Sequence, residues 1–184
     1  MNVGGVNTNY PMGYEARRIQ RATSETSFAS TMGKTTGTKG VGFVIHTSNE
    51  EDGIAIGSSA DRNGSVAVYK PNDFDPENPV YKVKVWDAAG NVTEERMVDI
   101  SKVDPNHSNY VDMFAYSSHL TDSGKCPGAQ AAFMGASFSA GNESSYFGKS
   151  NWFDIIKDIM QMQFDAGNYA GYAKYKQFWD FLDQ

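Results

Sequence analysis

A chain of 184 residues with a formal net charge of −6 and a single cysteine, Cys126, suits one domain, or one domain with a tail. The lone cysteine excludes an internal disulfide and any multi-cysteine zinc site. No run approaches the ~18 apolar residues of a membrane helix, so the expectation is a soluble protein without a membrane partner.

The N-terminus, Met1-Asn2-Val3-Gly4-Gly5-Val6-Asn7, lacks the apolar stretch of a secretory signal, which points to the cytoplasm. Export by a route that reads another signal stays open. Residues 1–40 are rich in Gly, Ser, Thr and Asn and poor in large aliphatics. This predicts a polar, largely disordered tail that buries too little to offset its ordering entropy. Tyr10, Met12, Tyr14, Ile19 and Phe28 are exceptions that could dock on the domain or on a partner protein. Arg17, Arg18, Arg21, Lys34 and Lys39 against Glu15 and Glu25 give the tail a charge of +3, leaving −9 for the rest. An acidic folded part argues against nucleic acid as a partner, and the tail is too sparsely basic to bind it alone.

Residues 41–184 read as one α+β domain, with sheet over 41–103 and helices over 104–184. Val41-Gly42-Phe43-Val44-Ile45-His46 is the first expected strand. Ile54-Ala55-Ile56 and Val66-Ala67-Val68-Tyr69 follow, joined by Asp61-Arg62-Asn63-Gly64, where Asn-Gly between apolar runs signals a turn. Lys70 to Pro79 holds three prolines and stays outside any central strand. The strongest local signal is Tyr81 to Val98. Tyr81, Val83 and Val85 share one face and Lys82, Lys84 and Trp86 the other. Asp87-Ala88-Ala89-Gly90-Asn91 suits a three-residue loop with Gly90 at the position that needs φ > 0. That loop pairs Trp86 with Val92, Lys84 with Glu94 and Tyr81 with Met97, and leaves Val83 opposite Glu95. Trp86 is either covered by a helix, the usual fate of a large aromatic, or a contact residue in an aromatic binding surface.

Periodicity then changes from two to between three and four. Asp104-Pro105 suits a helix start, and Tyr110, Met113, Phe114, Ser117 and Leu120 form one stripe that ends at Asp122-Ser123-Gly124. Ala129 to Met134 suits a short helix. Asn151 can cap a helix whose face is Trp152, Ile155, Ile156, Ile159 and Met160. Gly167 and Asn168 end it and cap the next, which presents Tyr172, Tyr175, Trp179 and Leu182. The expected fold is α+β: a five-stranded, mainly antiparallel meander sheet, with a C-terminal αα-hairpin and one preceding helix packed on it. The hairpin is expected to bury Trp86.

No constellation of residues carries a reaction strongly. Cys126 and His119, with Asp122 between them, are the only nucleophile and base close in sequence, and a nucleophile needs such a base within hydrogen-bond reach. Gly124-Lys125-Cys126-Pro127-Gly128 matches no cysteine-hydrolase motif, and a free cysteine near a helix end is more often a packing residue. His46, His107 and His119 are far apart and form no metal-binding pattern. Asp73, Asp75 and Glu77 alternate like part of a calcium loop but lack its sixth-position Gly and twelfth-position Glu. Gly33-Lys34-Thr35 resembles the end of a phosphate loop, but Ala29 stands where the first Gly is required. No catalytic, cofactor-binding or metal-binding residue is therefore assigned, and no cofactor is expected.

Val85 to Thr93 resembles a hairpin common in bacterial immunoglobulin-like repeats, over fewer than 20 residues, and the helical C-terminal half departs from such sandwiches. The whole order of polar tail, Tyr81–Pro105 segment and C-terminal helical hairpin around Ala166-Gly167-Asn168-Tyr169, with aromatics on either side, is similar to uncharacterised bacterial proteins. That likeness implies a bacterial source and no activity. The expected function is a non-enzymatic protein-binding or structural module, contacting another protein through the N-terminal tail or the surface near Trp86. The rivals are a small cysteine hydrolase using Cys126 and His119, and a self-associating structural protein, a homo-oligomer formed through an edge strand or the aromatic helices.

Overall fold

A computed structural model describes residues 51–139 and 146–183. The tail over 1–40, the first expected strand at Val41–His46 and the Gly33-Lys34-Thr35 stretch lie outside the described residues. Four strands, β1 (Ile54–Ala60), β2 (Gly64–Lys70), β3 (Val80–Asp87) and β4 (Val92–Asp99), form an antiparallel sheet in sequence order. Turn chemistry sets both ends. Asp61 Oδ1 accepts from the N–H groups of Asn63 and Gly64 at 2.7 and 3.2 Å and closes the β1–β2 turn. Asp87 Oδ1 accepts from Ala89 and Asn91, both at 2.9 Å, and Gly90 takes φ +85°, as the three-residue loop requires.

The register of this second hairpin corrects the sequence expectation by one residue. Trp86 faces Val92, but a bulge follows, so that Lys84 faces Glu95 and Tyr81 faces Val98. Thr93 is the extra residue, and its hydroxyl donates to the Val85 carbonyl at 3.2 Å. The physical reason is burial. Without the bulge, Glu95 and Met97 would share the face of Val83 and Tyr81; with it, Val98 is buried there and Met97 is exposed on the other face.

After a 3₁₀ turn (Ile100–Lys102), Asp104-Pro105 forms a turn rather than a helix start. Asp104 Oδ1 accepts from Asn106 N at 2.9 Å, and Ser108–Asn109 (β5) pairs with Lys149–Ser150 (β6). The helix α1 (Tyr110–Asp122) begins five residues later than expected, where the Asn109 side chain accepts from Asp112 N at 2.9 Å. It is buried on nearly every side, from Val111 to Leu120, because it lies between the sheet and the other helices. Tyr81, Val83, Val85 and Val98 meet it from the sheet. Gly57 in β1 permits the close approach, since a Cβ there would sit 2.6 Å from the Ser118 hydroxyl.

The helix α2 (Ala129–Ser139) packs on α1 and extends beyond the expected Met134. The hairpin of α3 (Trp152–Asp165) and α4 (Tyr169–Leu182) has the caps expected, with Asn151 accepting from Asp154 N and Asn168 from Gly171 N, both at 3.1 Å. Its seat differs from the expectation. It meets α2 and α1 rather than the sheet face: Trp152 packs edge-on to Phe133, Lys174 Nζ donates to the Ala131 carbonyl at 3.1 Å, and the Tyr116 hydroxyl donates to the Phe181 carbonyl at 3.2 Å. Trp86 therefore points away from the helices, half-buried on the outer sheet face with Lys82 and Lys84. The helical layer follows the residues of β3 that carry no charge, which is where burial costs least.

Candidate functional site

The residues singled out for chemistry do not assemble into one centre. Cys126 is 1% exposed and belongs to the core cluster. Burial raises the pKa of its thiol above the ordinary value, and no hydrogen bond joins it to His119 among the described residues. A protonated, enclosed thiol is not an activated nucleophile. Alkylation with iodoacetamide is accordingly expected to run about a hundredfold slower, or more, in folded protein than in urea. A mass-spectrometric time course checks this, and equal rates would place the thiol at the surface. His107 lies elsewhere, in a groove with Arg96 and Lys149, and His46 lies outside the described residues. Asp75 caps its own turn, accepting from Glu77 N and Asn78 Nδ2 at 2.9 Å each, with Asp73 and Glu77 beside it. Among the described residues no three His, Cys, Asp or Glu side chains gather as a metal site.

His119 instead finds a partner 38 residues away. Its Nδ1 lies 2.9 Å from the Tyr81 hydroxyl, and the ring is 6% exposed. A phenol is the better donor and an imidazole nitrogen the better acceptor, so Tyr81 donates to Nδ1 and the ring proton sits on Nε2. Burial lowers the His119 pKa, and the Lys125 ammonium adds to that, so the ring is neutral at pH 7. Burial, with a smaller contribution from Asp122, raises the Tyr81 pKa and keeps the phenol protonated.

This pair lines a cleft of about 470 Å³ between the end of β2, the proline-rich link and the end of α1. Phe74 from the link packs on the Tyr81 ring, centroids 4.9 Å apart. Lys70 Nζ is held 2.5 Å from Asp122 Oδ2 and lies over the Phe74 ring. Lys125 stands at the same cleft, and among the described residues no carboxylate is within ion-pair distance of it. The prolines that keep 71–79 out of the sheet thus form one wall of a hollow. The sequence shows the link as a breaker; it does not show that Phe74 folds back onto Tyr81.

Two further surfaces have chemical character. In the last turn of α3 and at the first residue of α4, Met162, Phe164 and Tyr169 are exposed, Tyr169 at 65%. The Phe164 ring lies 5.8 Å from Tyr169 and 5.5 Å from Tyr172, so the hairpin tip is an aromatic knob. The sequence carries no signal for it: Met162 follows Ile159 by three, Phe164 follows Met160 by four and Tyr169 precedes Tyr172 by three, so each continues the apolar stripe of its helix. On the outer sheet face, Asp52 is 2% exposed and bridges Lys82 and Lys84 at 2.6 Å each. Glu95 joins Lys82 at 2.7 Å. Trp86 and the exposed Val92 lie at the end of this face.

Comparison of the chain with protein-family models, with curated proteins and with solved structures found no match in any of the three.

Proposed function

We propose that this chain is a non-enzymatic protein-binding module of a bacterial cell, with the tip of the C-terminal hairpin as its main contact surface. The carrying observation is the exposed aromatic group of Phe164 and Tyr169, with Phe164 in ring contact with Tyr169 and Tyr172; Met162 is exposed on the same helix end. Aromatic residues and Met are the types enriched at interface cores, and large rigid rings supply contact area at low entropic cost. The occupant is a partner protein presenting an apolar groove wide enough for two rings. The outer face near Trp86 and Val92 offers a second contact, and the basic N-terminal tail a third. The rival hydrolase draws no support from a thiol enclosed in the core.

The double variant Phe164→Asp/Tyr169→Asp is expected to keep the wild-type melting temperature, since neither side chain is buried, and to lose partner recovery about tenfold or more in a quantitative pull-down. A chain starting at Gly40 serves as the comparison for the tail. Equal recovery by the tip variant would remove the tip from the reading. Sizing across concentrations separates the self-associating alternative: a dimer abolished by the tip variant would give the surface to a second copy and overturn the hetero-partner reading.

A further inference from the structure

The cleft at His119 has a composition that selects a ligand, independently of the hairpin tip. Its apolar walls are Ile54, Pro71, Phe74 and Pro76, and its polar end is His119 and Lys125. Its size, about 470 Å³, lies within the ordinary range for small-molecule sites. Three features fix the polar head. His119 Nδ1 is engaged by Tyr81, which leaves Nε2–H as the donor offered by a ring that is otherwise enclosed. His119 lines the hollow, and a neutral imidazole N–H with no protein acceptor among the described residues calls for one. Lys70 is neutralised by Asp122 at 2.5 Å, so the net charge at the cleft is the single ammonium of Lys125. One positive charge beside one donor matches a monoanion; a phosphate ester would need more cations, and a ligand cation would meet no unpaired carboxylate. The rings of Pro71 and Pro76, with Ile54, match a planar apolar body.

We infer that this cleft binds a small aromatic monocarboxylate, with the ring among Ile54, Pro71 and Pro76 and the carboxylate between Lys125 Nζ and His119 Nε2–H. Binding involves no bond making or breaking, and the ligand leaves unchanged.

Phenylacetate is the probe, with phenylacetamide as its uncharged match. In titrations of full-length ¹⁵N-labelled protein, phenylacetate is expected to saturate with a Kd of about 1 mM or tighter. It should shift the His119 Nε2 resonance and leave that of His107 in place. Phenylacetamide should bind about tenfold more weakly, as should phenylacetate to Lys125→Glu, a change outside the core that leaves the melting temperature unaltered. Ile54→Ala is the second variant and should weaken both probes equally, which separates ring packing from charge recognition. Absence of saturation by about 10 mM, equal binding of acid and amide, or undiminished binding to Lys125→Glu would each overturn the inference.

Discussion

Trp152→Ala is expected to cost about 3–5 kcal/mol of folding free energy, the range for removing a fully buried aromatic. Trp152 is 1% exposed and sits where three elements meet. Its ring lies edge-on to Phe133 of α2 at 4.8 Å and to Tyr110 of α1 at 6.4 Å. Its Nε1 donates to the Ser108 carbonyl of β5 at 2.9 Å, and its backbone N–H donates to the Pro105 carbonyl at 2.8 Å. The side chain therefore ties the hairpin to the turn that precedes α1. Truncation leaves a cavity and a buried carbonyl without its donor. Trp152→Phe separates the two losses: it fills most of the space but leaves the carbonyl unmet, at about 1–3 kcal/mol. Urea unfolding monitored by far-ultraviolet circular dichroism measures both, with the denaturant slope unchanged if the transition stays two-state. A loss below about 1 kcal/mol for the Ala variant would show that the hairpin does not depend on this anchor.

Asp52→Asn is expected to cost about 3–5 kcal/mol at pH 7, because it keeps the shape of the side chain and removes the charge that two largely buried lysines share. Asp52 lies 2.6 Å from both Lys82 and Lys84, and in its absence Glu95 is the carboxylate left beside them among the described residues. The cluster also predicts a pH dependence. Its hydrogen bond from Lys82 holds the Glu95 carboxyl below the ordinary value of 4.5. A carboxylate depressed in the fold adds stability above its unfolded value, and that stability is lost as pH falls through the folded one. Hydrogen bonds to Asp52 and Glu95 raise the pKa of Lys82 above its ordinary 10.5. Its contribution is therefore complete at neutral pH and is lost only in strong alkali. Urea midpoints should fall between about pH 5 and pH 3, and less steeply in Glu95→Gln. Identical acid slopes in wild type and Glu95→Gln, or an Asp52→Asn loss under about 1 kcal/mol, would reduce the cluster to solvated surface charge.

The sequence was legible where a structure rests on neighbours along the chain. Asp87 to Asn91 contains both the acceptor and the left-handed glycine that its loop uses, and the loop forms as read. Asn151 and Asn168 reach backbone donors three residues on, and both caps are present. The errors have a common cause. Asp104-Pro105 has the local chemistry of a helix start, yet Ser108 and Asn109 are drawn into a strand by Ser150 and Lys149, some 40 residues distant. Thr93 becomes a bulge because Val98 is buried against the helices while Met97 is not. The hairpin's seat on α1 and α2 differs from the sheet face because apolar stripes say that a face is buried and not which surface buries it. Phe178, fully buried in α4, joins the core for the same reason, although it stands outside the stripe of Tyr172, Tyr175, Trp179 and Leu182.

The candidate cleft was less legible still. In sequence His119 stands beside Asp122 and Cys126, whereas its hydrogen bond runs from α1 to Tyr81 on β3. Asp52 belongs to no sequence motif, although it is the carboxylate that gathers two lysines of β3.

The residue order alone determined the α+β class, the hairpin over Tyr81–Val98, the two C-terminal helices and their caps, since each depends on hydrogen bonds and side-chain periods spanning a few residues. Tertiary structure decided the register beyond the bulge, the seat of the hairpin on α1 and α2, the enclosure of Cys126 and the pairing of His119 with Tyr81. Those depend on which apolar surfaces meet and which polar groups must be satisfied once water is gone, and periodicity within a single element does not encode its partner.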